Sequence, residues 1–139
     1  MREKVLESAI KEFLERRGYF VLKIHSGAAP MQRGDVRYWI RLGDEGSPDL
    51  VCCIHGLFIA IEVKKDAKEL GAWERQYERF QKTRVVVRSS RRSIAQHLAQ
   101  ERILKAGGIH IACCDFETLQ RDVLEVERIA KEYSKIARE

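Results

Sequence analysis

Two short apolar runs, Leu50-Val51-Cys52-Cys53-Ile54 and Leu57-Phe58-Ile59-Ala60-Ile61, are joined by His55-Gly56 and flanked by Asp49 and Glu62. Their β-branched and aromatic content predicts strands, and a two-residue link with Gly in second place predicts a tight hairpin. A hairpin centred on that link sets Ile54 opposite Leu57, Val51 opposite Ala60 and Asp49 opposite Glu62. Directly opposed side chains share a face, with Cβ atoms about 4.5–5.5 Å apart. Two like charges at that spacing repel each other, so the pairing is unfavourable unless a cation lies between them.

Strand alternation adds a third group. Residues two apart point to the same side, so Ala60, Glu62 and Lys64 share one face while Ile59, Ile61 and Val63 occupy the other. Asp49, Glu62 and the Val63 carbonyl form an oxygen ligand set suited to Mg²⁺, with Mn²⁺ as a substitute, and Lys64 stands beside it. Such an ion polarises a phosphate and acidifies water, and a neighbouring lysine orients that water or offsets developing charge. The short motif Pro48-Asp49…Glu62-Val63-Lys64 is equally compatible with a solvated surface hairpin; the opposed register is what favours a site.

Further segments carry a family resemblance. These are Arg2-Glu3-Lys4-Val5-Leu6-Glu7, Lys23-Ile24-His25-Ser26-Gly27-Ala28-Ala29, Gly46-Ser47-Pro48-Asp49-Leu50, Ile59-Ala60-Ile61-Glu62-Val63-Lys64, and Gln96 placed eleven residues before Gly107-Gly108-Ile109. In order and spacing, over most of residues 2–120, the chain resembles the VRR-NUC domains of the PD-(D/E)xK nuclease superfamily. The resemblance implies an α/β fold with a restriction-endonuclease-like core, a mixed β-sheet flanked by helices. It implies metal-dependent hydrolysis of DNA phosphodiester bonds, with Asp49 and Glu62 as ligands, Glu7 as a ligand from the first helix, and Lys64 as the catalytic lysine. Gln96 joins them beside the lysine, and Gln76 is its rival. Small stand-alone members of this kind act on branched, junction or flap DNA, often as homodimers. The chain departs from the family pattern through an insertion at about 66–95.

Composition is consistent with this without requiring it. A chain of 139 residues is expected to form a single domain, 1–139. Its 26 basic and 21 acidic residues leave a net charge of +5, compatible with a polyanionic partner. No transmembrane run or signal-peptide pattern is apparent, so the default expectation is a cytoplasmic protein with no membrane partner. The four cysteines form two adjacent pairs, Cys52-Cys53 and Cys113-Cys114, whose members point to opposite strand faces; buried free thiols in strands are expected, and zinc is not.

Elsewhere, Val5, Leu6, Ala9, Ile10, Phe13 and Leu14 recur at helical spacing ahead of Gly18. This helix carries Glu3 and Glu7 one turn apart, of which Glu7 is the preferred ligand. Tyr19 to Ile24 reads as the first strand, and residues 25–46 as an excursion, part loop and part strand, with Arg33, Arg37 and Arg41 as phosphate-contact candidates. Within the insertion, Trp73, Tyr77 and Phe80 form an aromatic stripe on a helix spanning about 68–81, which suggests burial against a second copy of the chain. Arg84-Val85-Val86-Val87-Arg88 reads as a short strand, and Arg88, Arg91 and Arg92 extend the basic surface. A helix over 93–106, a strand over 109–114 and a closing helix over 116–137 complete the chain. Two alternatives stay open: a nuclease of the same core acting on linear duplex DNA or RNA, and a non-catalytic nucleic-acid-binding module on a nuclease fold.

Overall fold

The computed structural model describes residues 2–25, 27–42 and 45–138. Helix α1 spans Arg2–Arg16, and strands follow at Phe20–Lys23 (β1), Gly27–Arg33 (β2), Val36–Leu42 (β3), Leu50–Ile54 (β4) and Leu57–Val63 (β5). Helix α2 (Ala67–Thr83), a 3-10 turn (Arg88–Ser90) and helix α3 (Arg91–Lys105) lead to β6 (Ile109–Cys113) and helix α4 (Phe116–Arg138). The fold is therefore the expected α/β type, with a four-stranded sheet ordered β1-β4-β5-β6 and a separate β2–β3 ribbon. Strands β5 and β6 run parallel while the other pairs are antiparallel, so the sheet is mixed. Helices α2 and α3 form the crossover that a parallel pair requires.

The β4–β5 hairpin has the expected register, with Ile54 opposite Leu57, Val51 opposite Ala60 and Leu50 opposite Ile61. His55 and Gly56 both adopt positive φ, 47° and 87°, the conformation a two-residue turn needs to match the strand twist. One sheet face carries Ile59, Ile61, Val63, Ile111 and Cys113, buried under Ile10 and Leu14 of α1 and Leu119, Val123 and Val126 of α4. Arg17, just past α1, donates from Nε and Nη2 to both carboxylate oxygens of Glu127 on α4, at 2.8 and 2.7 Å. The second face is polar: Glu62 and Lys64 meet Trp73 of α2 and Gln96 and His97 of α3. Cys52 and Cys113 are buried while Cys53 is exposed and Cys114 half-buried, and all four are free.

Two expectations about the insertion change. The run Arg84 to Val87 is not a strand. Arg84 takes the left-handed conformation that ends α2, its N–H donating to the Phe80 carbonyl, and Val85, Val86 and Val87 stay exposed without a pairing strand. The aromatic stripe packs within the chain, with Trp73 and Phe80 buried and Tyr77 stacked on His97 at 4.3 Å. It gives no ground for a second copy. The helix bounds otherwise move by only a few residues, with Asp66 capping α2 through the Glu69 N–H at 2.8 Å.

Gly46 joins the loop before Asp49 to α3. Its φ is +82°, and a Cβ placed there would stand 2.3 Å from the Ala95 carbonyl oxygen. Gly46→Ala should therefore combine backbone strain with overpacking and cost about 2–5 kcal/mol, read as a shift in the urea midpoint. A shift below about 0.5 kcal/mol would show that this loop is not held against α3.

Candidate functional site

Asp49 sits where three strands meet. Its N–H donates to the Ile61 carbonyl at 3.1 Å, and its own carbonyl accepts from the Ile24 N–H at 2.9 Å. Its Oδ2 accepts the Val63 N–H at 2.7 Å. The described contact of Val63 with this carboxylate is thus made by its amide, where the sequence reading used its carbonyl as a ligand. Asp49 Oδ1 is the oxygen that this amide does not engage.

Around Asp49 opens a cleft of about 430 Å³. Carboxylates of Glu3, Glu7 and Asp49 lie on it, and each offers an oxygen within 4.8 Å of the others. The first turns of α1 deliver Glu3 and Glu7. Burial, and then the charges of Asp49, Glu69 and Glu7, push the Glu3 carboxyl up from its ordinary range. Lys23 at the end of β1 pairs with Glu7 at 3.2 Å, and Arg92 in the first turn of α3 lines the same cleft.

Glu62 lies on the other side of Asp49, only 2 % exposed. Its Oε1 accepts from Gln96 Nε2 at 3.0 Å and stands 3.7 Å from Lys64 Nζ. Its Oε2 is buried without a hydrogen-bond partner. Burial first, and the Asp49 charge second, push the Glu62 carboxyl up to about 9, with Lys64 opposing. The repulsion expected from opposed carboxylates is present in the fold.

Gln96 is the hub of the polar layer. Its Oε1 accepts from Lys64 Nζ at 3.0 Å and from Trp73 Nε1 at 2.7 Å, while its amide nitrogen donates to Glu62. Both partners of Oε1 are donors only, so the orientation of the amide follows from chemistry. The Trp73 indole lies under the Lys64 ammonium, which is 5.3 Å from the ring centroid. His97 Nε2 lies 2.8 Å from the Trp73 carbonyl and ties α2 to α3.

The structure thus brings together Asp49, Glu62, Lys64, Gln96 and Glu7. Gln76 makes no described contact with this group, and Gln96 occupies the place for which the two competed. Of the arginine candidates, Arg92 reaches the cleft. Arg91 pairs with Glu45 at 3.3 Å, Arg88 is exposed on the 3-10 turn, and Arg33 and Arg37 are exposed on the ribbon. The Arg41 side chain lies outside the described residues. Sequence reasoning missed Trp73, which it took for packing alone, and Lys23; it ranked Glu3 below Glu7. Helical spacing signalled that Trp73 faces inward but not that its N–H meets a site residue.

Comparison with protein-family models, with curated proteins and with solved structures returns no match.

A pH dependence follows from Glu62. A carboxyl whose folded pKa lies above its unfolded value binds its proton more tightly when folded. Its contribution is complete below the ordinary value of 4.5 and is lost as pH rises towards about 9. In chelator, Glu62→Gln should melt above the parent at about pH 8.5, with the difference shrinking towards about pH 5. Parallel melting profiles for the two proteins across that range would contradict the buried carboxyl pair.

Proposed function

We propose that this protein is a divalent-metal-dependent endonuclease that hydrolyses DNA phosphodiester bonds, acting on branched, junction or flap substrates. The observation that carries the reading is the buried Glu62 Oε2, without a hydrogen-bond partner beside the Asp49 carboxylate, under a lysine held by Gln96. The carboxylates of Glu3, Glu7 and Asp49 cluster within 4.8 Å, Glu62 adjoins Asp49, and these oxygen donors suit Mg²⁺ or Mn²⁺. The resemblance to VRR-NUC nucleases supports the same reading, although Glu3 joins the acidic group.

Asp49 and Glu62 would hold the ion, with Glu7 and Glu3 on the α1 side. A bound divalent ion supplies charge neutralisation and Lewis acidity at the scissile phosphate. Lys64 Nζ, fixed by the Gln96 carbonyl oxygen, is placed to hydrogen-bond the attacking water or a phosphate oxygen. Water attacks phosphorus and loses a proton to solvent, one P–O bond breaks, and the leaving oxygen takes a proton from solvent. The Asp49 N–H and carbonyl are anchored to two strands, so its carboxylate is preorganised before substrate arrives. Lys4, Lys23 and Arg92 border the cleft and offset the phosphodiester charge.

No described helix is long and apolar enough to cross a membrane. A cytoplasmic location belongs to this reading.

The test is cleavage of flap, fork, junction and linear substrates in Mg²⁺, Mn²⁺ or chelator. The parent should cut at least one branched substrate only with metal. Asp49→Asn and Glu62→Gln should each lose about 10²-fold or more in rate, and Lys64→Ala a similar factor, with DNA affinity in chelator within a few-fold of the parent. Glu62→Gln cleaving at the parental rate would sink the site, and DNA bound but uncut by the parent would favour the non-catalytic module.

A further inference from the structure

The β2–β3 ribbon is left unexplained by the cleft. It is a two-stranded sheet by itself, and every residue from Pro30 to Trp39 is exposed. A two-stranded hairpin gains little from its own pairing in water, so large exposed side chains on both faces call for a partner. Trp39 is the extreme case at 71 % exposed.

Register sorts the ribbon's side chains. Pro30 pairs with Trp39 and Gln32 with Arg37, which sets Gln32, Arg37 and Trp39 on one face. Met31, Arg33, Val36 and Tyr38 take the other. Among described side chains from 29 to 39, two arginines stand against Asp35 alone. The chain leaves the sheet through Ile24 and His25, which line the cleft, and returns through Ser47 and Pro48 to Asp49. The ribbon therefore springs from the rim of the phosphate-handling site.

We propose that the Arg37–Trp39 face is a platform for single-stranded nucleic acid, the indole stacking on an unpaired base while the guanidinium contacts the backbone. Side chains two apart on a strand are separated by about 6.7 Å, roughly two steps of a strand stacked at about 3.4 Å per nucleotide. Arg37 thus reaches a phosphate close to the base on Trp39. A flat indole gains its full contact only with an unpaired base, because a base inside a duplex is already stacked on both sides. The proposal deepens the nuclease reading and rests on it for its purpose: unpaired DNA held on the ribbon leads into the cleft, which gives a branched substrate its advantage.

The binding step can be read without cleavage. The chain has two tryptophans, and Trp73 is only 4 % exposed, so a change in emission on adding nucleic acid reports chiefly on Trp39. With chelator present, oligothymidylate of about 12 nucleotides should quench the parent. Trp39→Ala should abolish the quenching and weaken single-strand binding about 5- to 100-fold, with a smaller loss on duplex of equal length. Trp39→Phe, which keeps an aromatic face, should retain most of the affinity, separating stacking from damage to the ribbon. Arg37→Gln should lower the log–log salt slope by about one.

Unchanged single-strand affinity in Trp39→Ala would overturn the proposal. So would equal losses on single strand and duplex, or emission that responds to phosphatidylglycerol vesicles and not to DNA. Cleavage by a parent whose emission never changes would remove the platform and leave the nuclease standing. Quenching with no cleavage in any metal would do the reverse.

Discussion

Burying one carboxylate against another is costly, and Glu62 carries that cost at the centre of the sheet. Its position follows from the hairpin, whose last ladder pair, Leu50 with Ile61, leaves Asp49 and Glu62 as the next residues of the two strands, and from the parallel pairing of β5 with β6, which covers the strand. Replacing buried ionisable groups with well-packed apolar residues is often neutral or stabilising. Polar layers of this kind persist only when each member finds a partner, and Gln96 serves Glu62, Lys64 and Trp73 at once. The atom left over is Glu62 Oε2, beside Asp49. Under the proposed function, the energetic fault and the reactive centre are the same place.

The two sheet faces divide the labour. The aliphatic face against α1 and α4 supplies cohesion, and Arg17 to Glu127 ties those helices together. The polar face against α2 and α3 holds Glu62, Lys64 and Gln96 in fixed orientations. The segment at 66–95 is therefore structural at the candidate site. It provides Trp73, whose N–H and ring constrain Gln96 and Lys64, and it turns Arg92 towards the cleft.

Much of this was legible in the sequence because hairpin geometry is local. The two-residue turn and the strict alternation from Ile59 to Lys64 specify the face of every side chain, and the structure keeps that register. Gln96 came from the resemblance, which sets a glutamine at this spacing before Gly107-Gly108, and the structure joins it to Lys64 and Glu62. What was not legible depends on tertiary neighbours. The valines at 85–87 have high strand propensity, but propensity forms no ladder without an edge to join. Helical spacing showed that the Trp73 stripe must be covered, not that α3 covers it. The relative weight of Glu7 and Glu3 depends on the phase of α1 against the sheet, which packing sets, and both carboxylates reach Asp49.

Under the proposed function, the Asp49–Glu62 pair is a cation site. The most direct measurement is thermal stability during titration with Mn²⁺, because a ligand that binds only the folded state raises stability by RT ln(1 + [L]/Kd). The melting temperature should climb with Mn²⁺ in the parent, respond weakly in Asp49→Asn and Glu62→Gln, and return to its starting value with chelator. A parent whose melting temperature is indifferent to millimolar Mn²⁺, or variants that respond as fully as the parent, would contradict it.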